Sequence, residues 1–219
     1  MTAAAAEGGL ERVLRPALAA EWLTLGWMTA EAVVALVAGV AAGSIALTGF
    51  GIDSIIELAT ALLVLRRLLH YRRSGSADEA TERRVLRYVA YGFFALAAYV
   101  LIDGLIALLS RSHPGRSPAG LVLTLTALVV MPALGLLKRR IATDAEPLTE
   151  VGRFAAGLLR ADAAETLLCA TLSLATALGL LLDLTLGWWQ ADPLAGFVIA
   201  AFAIREGREA LAGELFCED

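Results

Sequence analysis

The chain has 219 residues, 58% of them hydrophobic and 18% charged, with a mean hydropathy of +0.72. So apolar a composition excludes an ordinary water-soluble domain, and two cysteines exclude a disulfide scaffold. The net charge of −4 says little by itself, because the placement of charge matters more than its sum; no nucleic-acid partner is expected.

A bilayer span needs about 20 mainly apolar residues. The stretches 22–43, 45–65, 87–109, 119–137, 158–182 and 188–204 meet that need. The expected fold is an all-α integral membrane protein, a bundle of six transmembrane helices in contact with the lipid bilayer. Residues 1–21 form a cytoplasmic N-terminal segment, 22–204 the membrane domain, and 205–219 a short Arg/Glu-rich cytoplasmic tail. The N-terminal segment carries acidic residues and has no apolar core before Trp22, which excludes a cleavable signal peptide. An amphipathic helix on the cytoplasmic face is its expected use. Of the 18 Lys+Arg, all but Arg111 and Arg116 fall on one side of this arrangement, including the block from Lys138 to Arg160. Positive charge marks the cytoplasmic side, so both termini are expected there. A bacterial inner (cytoplasmic) membrane is the expected location.

In chain order, the first turn falls at Ala42, Gly43 and Ser44 and makes spans one and two adjacent and antiparallel. Ala35, Gly39 and Gly43 give span one a small-residue face suited to close helix packing. The polar connection HYRRSGSADEATERR follows span two, RSHPGRSP follows span three, and ATDAEPLTE follows span four. Pro132 lacks an N–H and is expected to kink or locally unwind span four. Trp188 and Trp189 suit an interfacial aromatic belt. His70 and His113 lie in or beside loops and share no ligand spacing, so a loop role is assigned to both. Cys217 lies at the tail.

The informative residues are acids in apolar helices. Asp53 and Glu57 lie in GSIALTGFGIDSIIELATALLVL, and Asp162 and Glu165 in LLRADAAETLLCATLSLATALGLLL. An ionised side chain at bilayer depth costs about 2.5–3.5 kcal/mol on insertion scales, so acids kept there point to an ion or proton pathway. Asp53 and Glu57 are four apart and share a helical face. Ionised together they repel, and either a divalent cation or a proton resolves the repulsion. Glu165 and Cys169 are likewise four apart, on one stripe with Asp162. Facing each other, Asp53, Glu57, Glu165 and Cys169 offer four side-chain ligands for a divalent metal. Cys169 has a second reading as a small buried apolar residue, and Asp162 has one as an interfacial ion-pair partner. Glu31 in span one and Asp103 in span three each stand alone. Proton relay, support behind a ligand, and helix–helix hydrogen bonding are equally open to them. Ser54 and Thr60 need only satisfy backbone carbonyls. With no nucleophile–base pair and no nucleotide loop, catalysis is not expected.

At these residues the sequence resembles the cation diffusion facilitator family of divalent-metal/proton antiporters. The resemblance rests on GSIALTGFGIDSIIEL, on LLRADAAETLLC and on WWQADPLAGFVIAAFAIREGREAL, and runs from about Leu25 to Leu211. It implies that Asp53 and Glu57 occupy the positions of the second-span ligands. Glu165 stands where that family often has His, and Cys169 where it has Asp. The pattern is thus DxxxE with ExxxC, and Glu31 has no counterpart. The family also carries a cytoplasmic metal-binding domain that supports dimerisation, and this chain is expected to be a divergent member without it. A homodimer remains among the expected partners. What the resemblance implies is efflux of a divalent metal in exchange for protons by alternating access. Three carboxylates and a thiolate put zinc first as substrate, with manganese, iron(II) and cobalt open. Two other classes stay open: a membrane metal-binding or regulatory protein that does not transport, and a helix-bundle interaction protein whose acids pair buried helices.

Overall fold

The structure is a computed structural model and describes residues 3–74, 79–145 and 150–212. The tail residues 213–219, with Cys217, lie outside them. Among the described residues the elements are helices: α1 (Ala3–Ala42), α2 (Ile45–Ser74), α3 (Glu79–Ser110), α4 (Pro118–Ala145), α5 (Glu150–Leu186) and α6 (Ala191–Ala212). The all-α membrane bundle expected from composition is the architecture found. Of the helices, α1 to α5 contain stretches long and apolar enough to cross a bilayer. The 22-residue α6 has Arg205, Glu206, Arg208 and Glu209 in its last turns, and it packs chiefly on α3.

The apolar runs mark the spans but not the helices. At the end of the bundle that carries most of the arginines, α2 to α6 continue about two turns beyond the apolar stretch, roughly 12 Å each. Most residues there are Ala, Leu, Arg or Glu, strong helix formers that continue the helix once it is nucleated. For the same reason residues 3–21 are not a separate surface helix. They are the opening turns of the 40-residue α1, continuous through Pro16, and Leu14 and Ala17 are buried there against Leu65, Leu68, Ala155 and Leu159. Unwinding at Pro132 is not observed either, since α4 runs through it without a break.

The first turn is fixed by its hydrogen bonds. Gly43 adopts φ 64°, its N–H bonds the Val40 carbonyl at 3.2 Å, and the Ser44 N–H bonds the Gly39 carbonyl at 3.0 Å. Those two bonds close α1 in a Schellman motif, for which glycine has no Cβ penalty. Ser44 at once caps α2, its Oγ accepting the Leu47 N–H at 3.1 Å.

Helices α1, α2, α4 and α5 pack around one another, with α1 on α2 and α4 on α5 as the most extensive pairs; the α3–α6 pair joins them through α2 and α5. Small residues set the separations. A Cβ at Gly51 meets the Leu36 backbone nitrogen at 2.9 Å, and one at Gly135 meets Leu167 Cγ at 2.8 Å. Outward faces are apolar, with Val40, Leu109, Val129 and Leu186 each more than 70% exposed. A surface of that kind is stable in lipid, where the polar groups turn inward.

Candidate metal centre

Asp53 and Glu57 project from one face of α2, and Glu165 and Cys169 from one face of α5. The structure brings all four to a single narrow cavity, closed by Phe93, Phe202 and Glu206 among others. The cavity holds about 10 Å³, room for one water or one ion. Each of the four side chains is at most 5% exposed. Glu57 Oε2 and Glu165 Oε1 are buried with no hydrogen-bond partner. Buried polar atoms are normally satisfied, so two orphaned carboxylate oxygens beside one cavity mark a place for a cation or proton.

Glu31 does not stand apart from this cluster. Trp27 Nε1 donates to its Oε2 at 2.7 Å, and Ser54 Oγ donates to its Oε1 at 2.9 Å. The Cys169 Sγ lies 3.9 Å from the same Oε1. Glu31, Glu57 and Cys169 each present a ligand atom within 4.8 Å of the others. Ser54, expected only to satisfy a backbone carbonyl, does so at Phe50 and also fixes Glu31.

Asp162 and Asp103 are elsewhere. Asp162 lies toward the arginine-rich end and pairs with Lys138, the ion-pair role that was its second reading, with both side chains buried in the bundle. Lys138 Nζ also lies 3.3 Å from Thr166 Oγ1 and 3.9 Å from Glu21 Oε2, and Lys138 and Glu21 are both 0% exposed. Lys138 is thus removed from the surface basic block to which its place beside Arg139 assigns it. It is the sole lysine of the chain's 18 basic residues, the one signal in the sequence that sets it apart. Asp103 is half-buried in a separate pocket with Ile45, Ser112 and Asp192.

Two more acids escape the apolar pattern. Asp192, at the start of α6, accepts from Ser44 Oγ at 2.5 Å and from the Ile45 N–H at 2.8 Å, which ties α6 to the first turn of α2. Glu206 reads as tail, yet it lines the cavity with Oε1 unpaired.

Residues 86–213 match the cation efflux transmembrane domain. The chain belongs to the cation diffusion facilitator family. It is therefore a cation efflux transporter of the membrane, and its substrate class is a divalent metal ion. Within this family member the match takes in α5, with Asp162, Glu165 and Cys169, whereas α1 and α2 precede it. It is the fold that brings Glu31, Asp53 and Glu57 to the α5 side chains. No curated protein matches the chain.

Proposed function

We propose that this transporter exports a divalent transition metal from the cytoplasm in exchange for protons, holding the metal with Asp53, Glu57, Glu165 and Cys169. The observation that carries the reading is the meeting of these side chains at one cavity, with Glu57 Oε2 and Glu165 Oε1 lacking any protein partner. A cation among them satisfies both atoms and neutralises the carboxylates. Protons do the same when the metal leaves, which couples the two fluxes. Zinc is the first substrate on this reading, with manganese, iron(II) and cobalt as alternatives, because a thiolate and carboxylates suit borderline ions. Alternating access exposes the cavity first to the cytoplasm and then to the far side, in a bacterial inner membrane. A homodimer is the expected assembly.

Purified protein in proteoliposomes tests this. Zinc uptake driven by an imposed pH gradient is expected for the native chain. Asp53→Asn is expected to lower zinc affinity by about 100-fold, the upper end for lost support of a metal site, and to abolish uptake. Affinity falls on acidification, since the ligands bind metal only when deprotonated. Zinc binding with no proton-coupled uptake leaves a metal-binding protein and overturns the transport reading.

A further inference from the structure

Glu31 Oε1 lies 3.9 Å from the Cys169 thiol, and Glu31 comes from a helix that contributes none of the four ligands proposed above. We infer that Glu31 is itself a metal ligand, so that Glu31 of α1, Glu57 of α2 and Cys169 of α5 form the nucleus of the centre. The inference rests on the metal-transport reading and extends it to a third helix.

Three observations carry it. The ligand atoms of Glu31, Glu57 and Cys169 already lie within 4.8 Å of one another. Ligands about 2.0–2.3 Å from one tetrahedral ion stand roughly 3.3–3.8 Å apart, so the three need close in by only about 1 Å. Second, Glu57 Oε2 is buried without a partner, an acceptor left open beside Glu31. Third, Glu31 is oriented the way ligating carboxylates are: Trp27 and Ser54 each donate to one of its oxygens. Such supporting hydrogen bonds fix the carboxylate and leave further lone pairs on each oxygen for a cation. Sharing a site among α1, α2 and α5 also gives the ion a direct hold on α1, whose packing partners include α2, α4 and α5. Binding and release of metal then act on the mutual packing of these helices.

Cobalt(II) is the probe, because a thiolate ligand gives a charge-transfer band and the visible bands report the ligand shell. Full-length protein with Cys217→Ser is titrated with cobalt, and each variant is checked for monodisperse elution. The native Glu31 protein is expected to bind cobalt with a thiolate band from Cys169. Glu31→Gln keeps the shape and an acceptor for Trp27, with its NH2 donating to Ser54 Oγ, which still donates to the Phe50 carbonyl; it is expected to weaken binding by tenfold or more, about the least a metal-site contact costs, and to alter the visible bands. Glu31→Cys is expected roughly to double the thiolate band by adding a second soft ligand, which decides the matter even if the Gln variant does not fold. Unchanged affinity and bands in Glu31→Gln, or an unchanged thiolate band in Glu31→Cys, overturn the inference and leave the four-ligand reading standing. Absence of cobalt binding by the native Glu31 protein overturns both.

Discussion

Two neighbouring groups of buried acids, whose α5 members Asp162 and Glu165 stand about 4.5 Å apart along the helix axis, have different solutions to the same problem. In the group nearer the arginine-rich end, Glu21 and Asp162 flank the ammonium of Lys138, a cation that is part of the chain. In the other, Glu31, Asp53, Glu57 and Glu165 have no basic side chain in ion-pair contact among the described residues. Glu206, which lines the same cavity as Asp53, adds a further carboxylate of the same sign. A carboxylate cluster in lipid needs a neutralising charge. The first group has one such charge permanently, paired with Asp162 and 3.9 Å from Glu21, and joins α1, α4 and α5. On the proposed function the second takes it from outside, and a charge that comes from outside can also leave. The difference separates a structural acid from one suited to transport more sharply than burial does, since both groups are equally buried.

The largest effect is expected at the group that contains Lys138. Lys138→Met leaves Glu21 and Asp162 buried without their cation and is expected to destabilise the protein by about 3–5 kcal/mol, read as a lower unfolding temperature in detergent. Combining it with Glu21→Leu and Asp162→Leu removes the stranded acids and is expected to recover most of that loss. If Lys138→Met alone leaves stability unchanged, the ion pair is not what joins the three helices. Glu57→Gln tests the other side of the comparison. It removes a charge that has no partner, so stability is expected to hold or rise while zinc affinity by calorimetry falls steeply; a clear loss of stability breaks the contrast. The smallest effect belongs to Asp103→Asn, in its half-exposed pocket away from both groups. Zinc affinity is expected to stay unchanged and stability to move by no more than about 0.5 kcal/mol.

Much of the fold was legible because a bilayer imposes a single coarse rule, a long apolar run for each crossing. Each pair followed from helical spacing, since Asp53 with Glu57 and Glu165 with Cys169 are four apart and share a face, whereas their meeting at one cavity comes from the packing of α2 and α5. What stayed hidden depends on depth and on partners from distant helices. Lys138 precedes Arg139 and Arg140 and reads as the first of a surface run, yet one residue's rotation on α4 separates an exposed arginine from a lysine with no exposure. Glu21 and Glu206 lie just past the ends of apolar runs, where helices continue although hydropathy falls. Glu31 was visible as an anomaly, but its neighbours were not. Trp27 is on its own helix, whereas Ser54 and Cys169 reach it only through the packing of α1 on α2 and α5.

Lys138 has a practical consequence as well. Being the sole lysine, it is the chain's single side-chain amine, and it is sealed inside the bundle. An amine-directed reagent therefore meets it only when α1, α4 and α5 separate. Labelling at Lys138, told apart from the chain's α-amine by peptide mapping, reports opening at one known position without any engineered label.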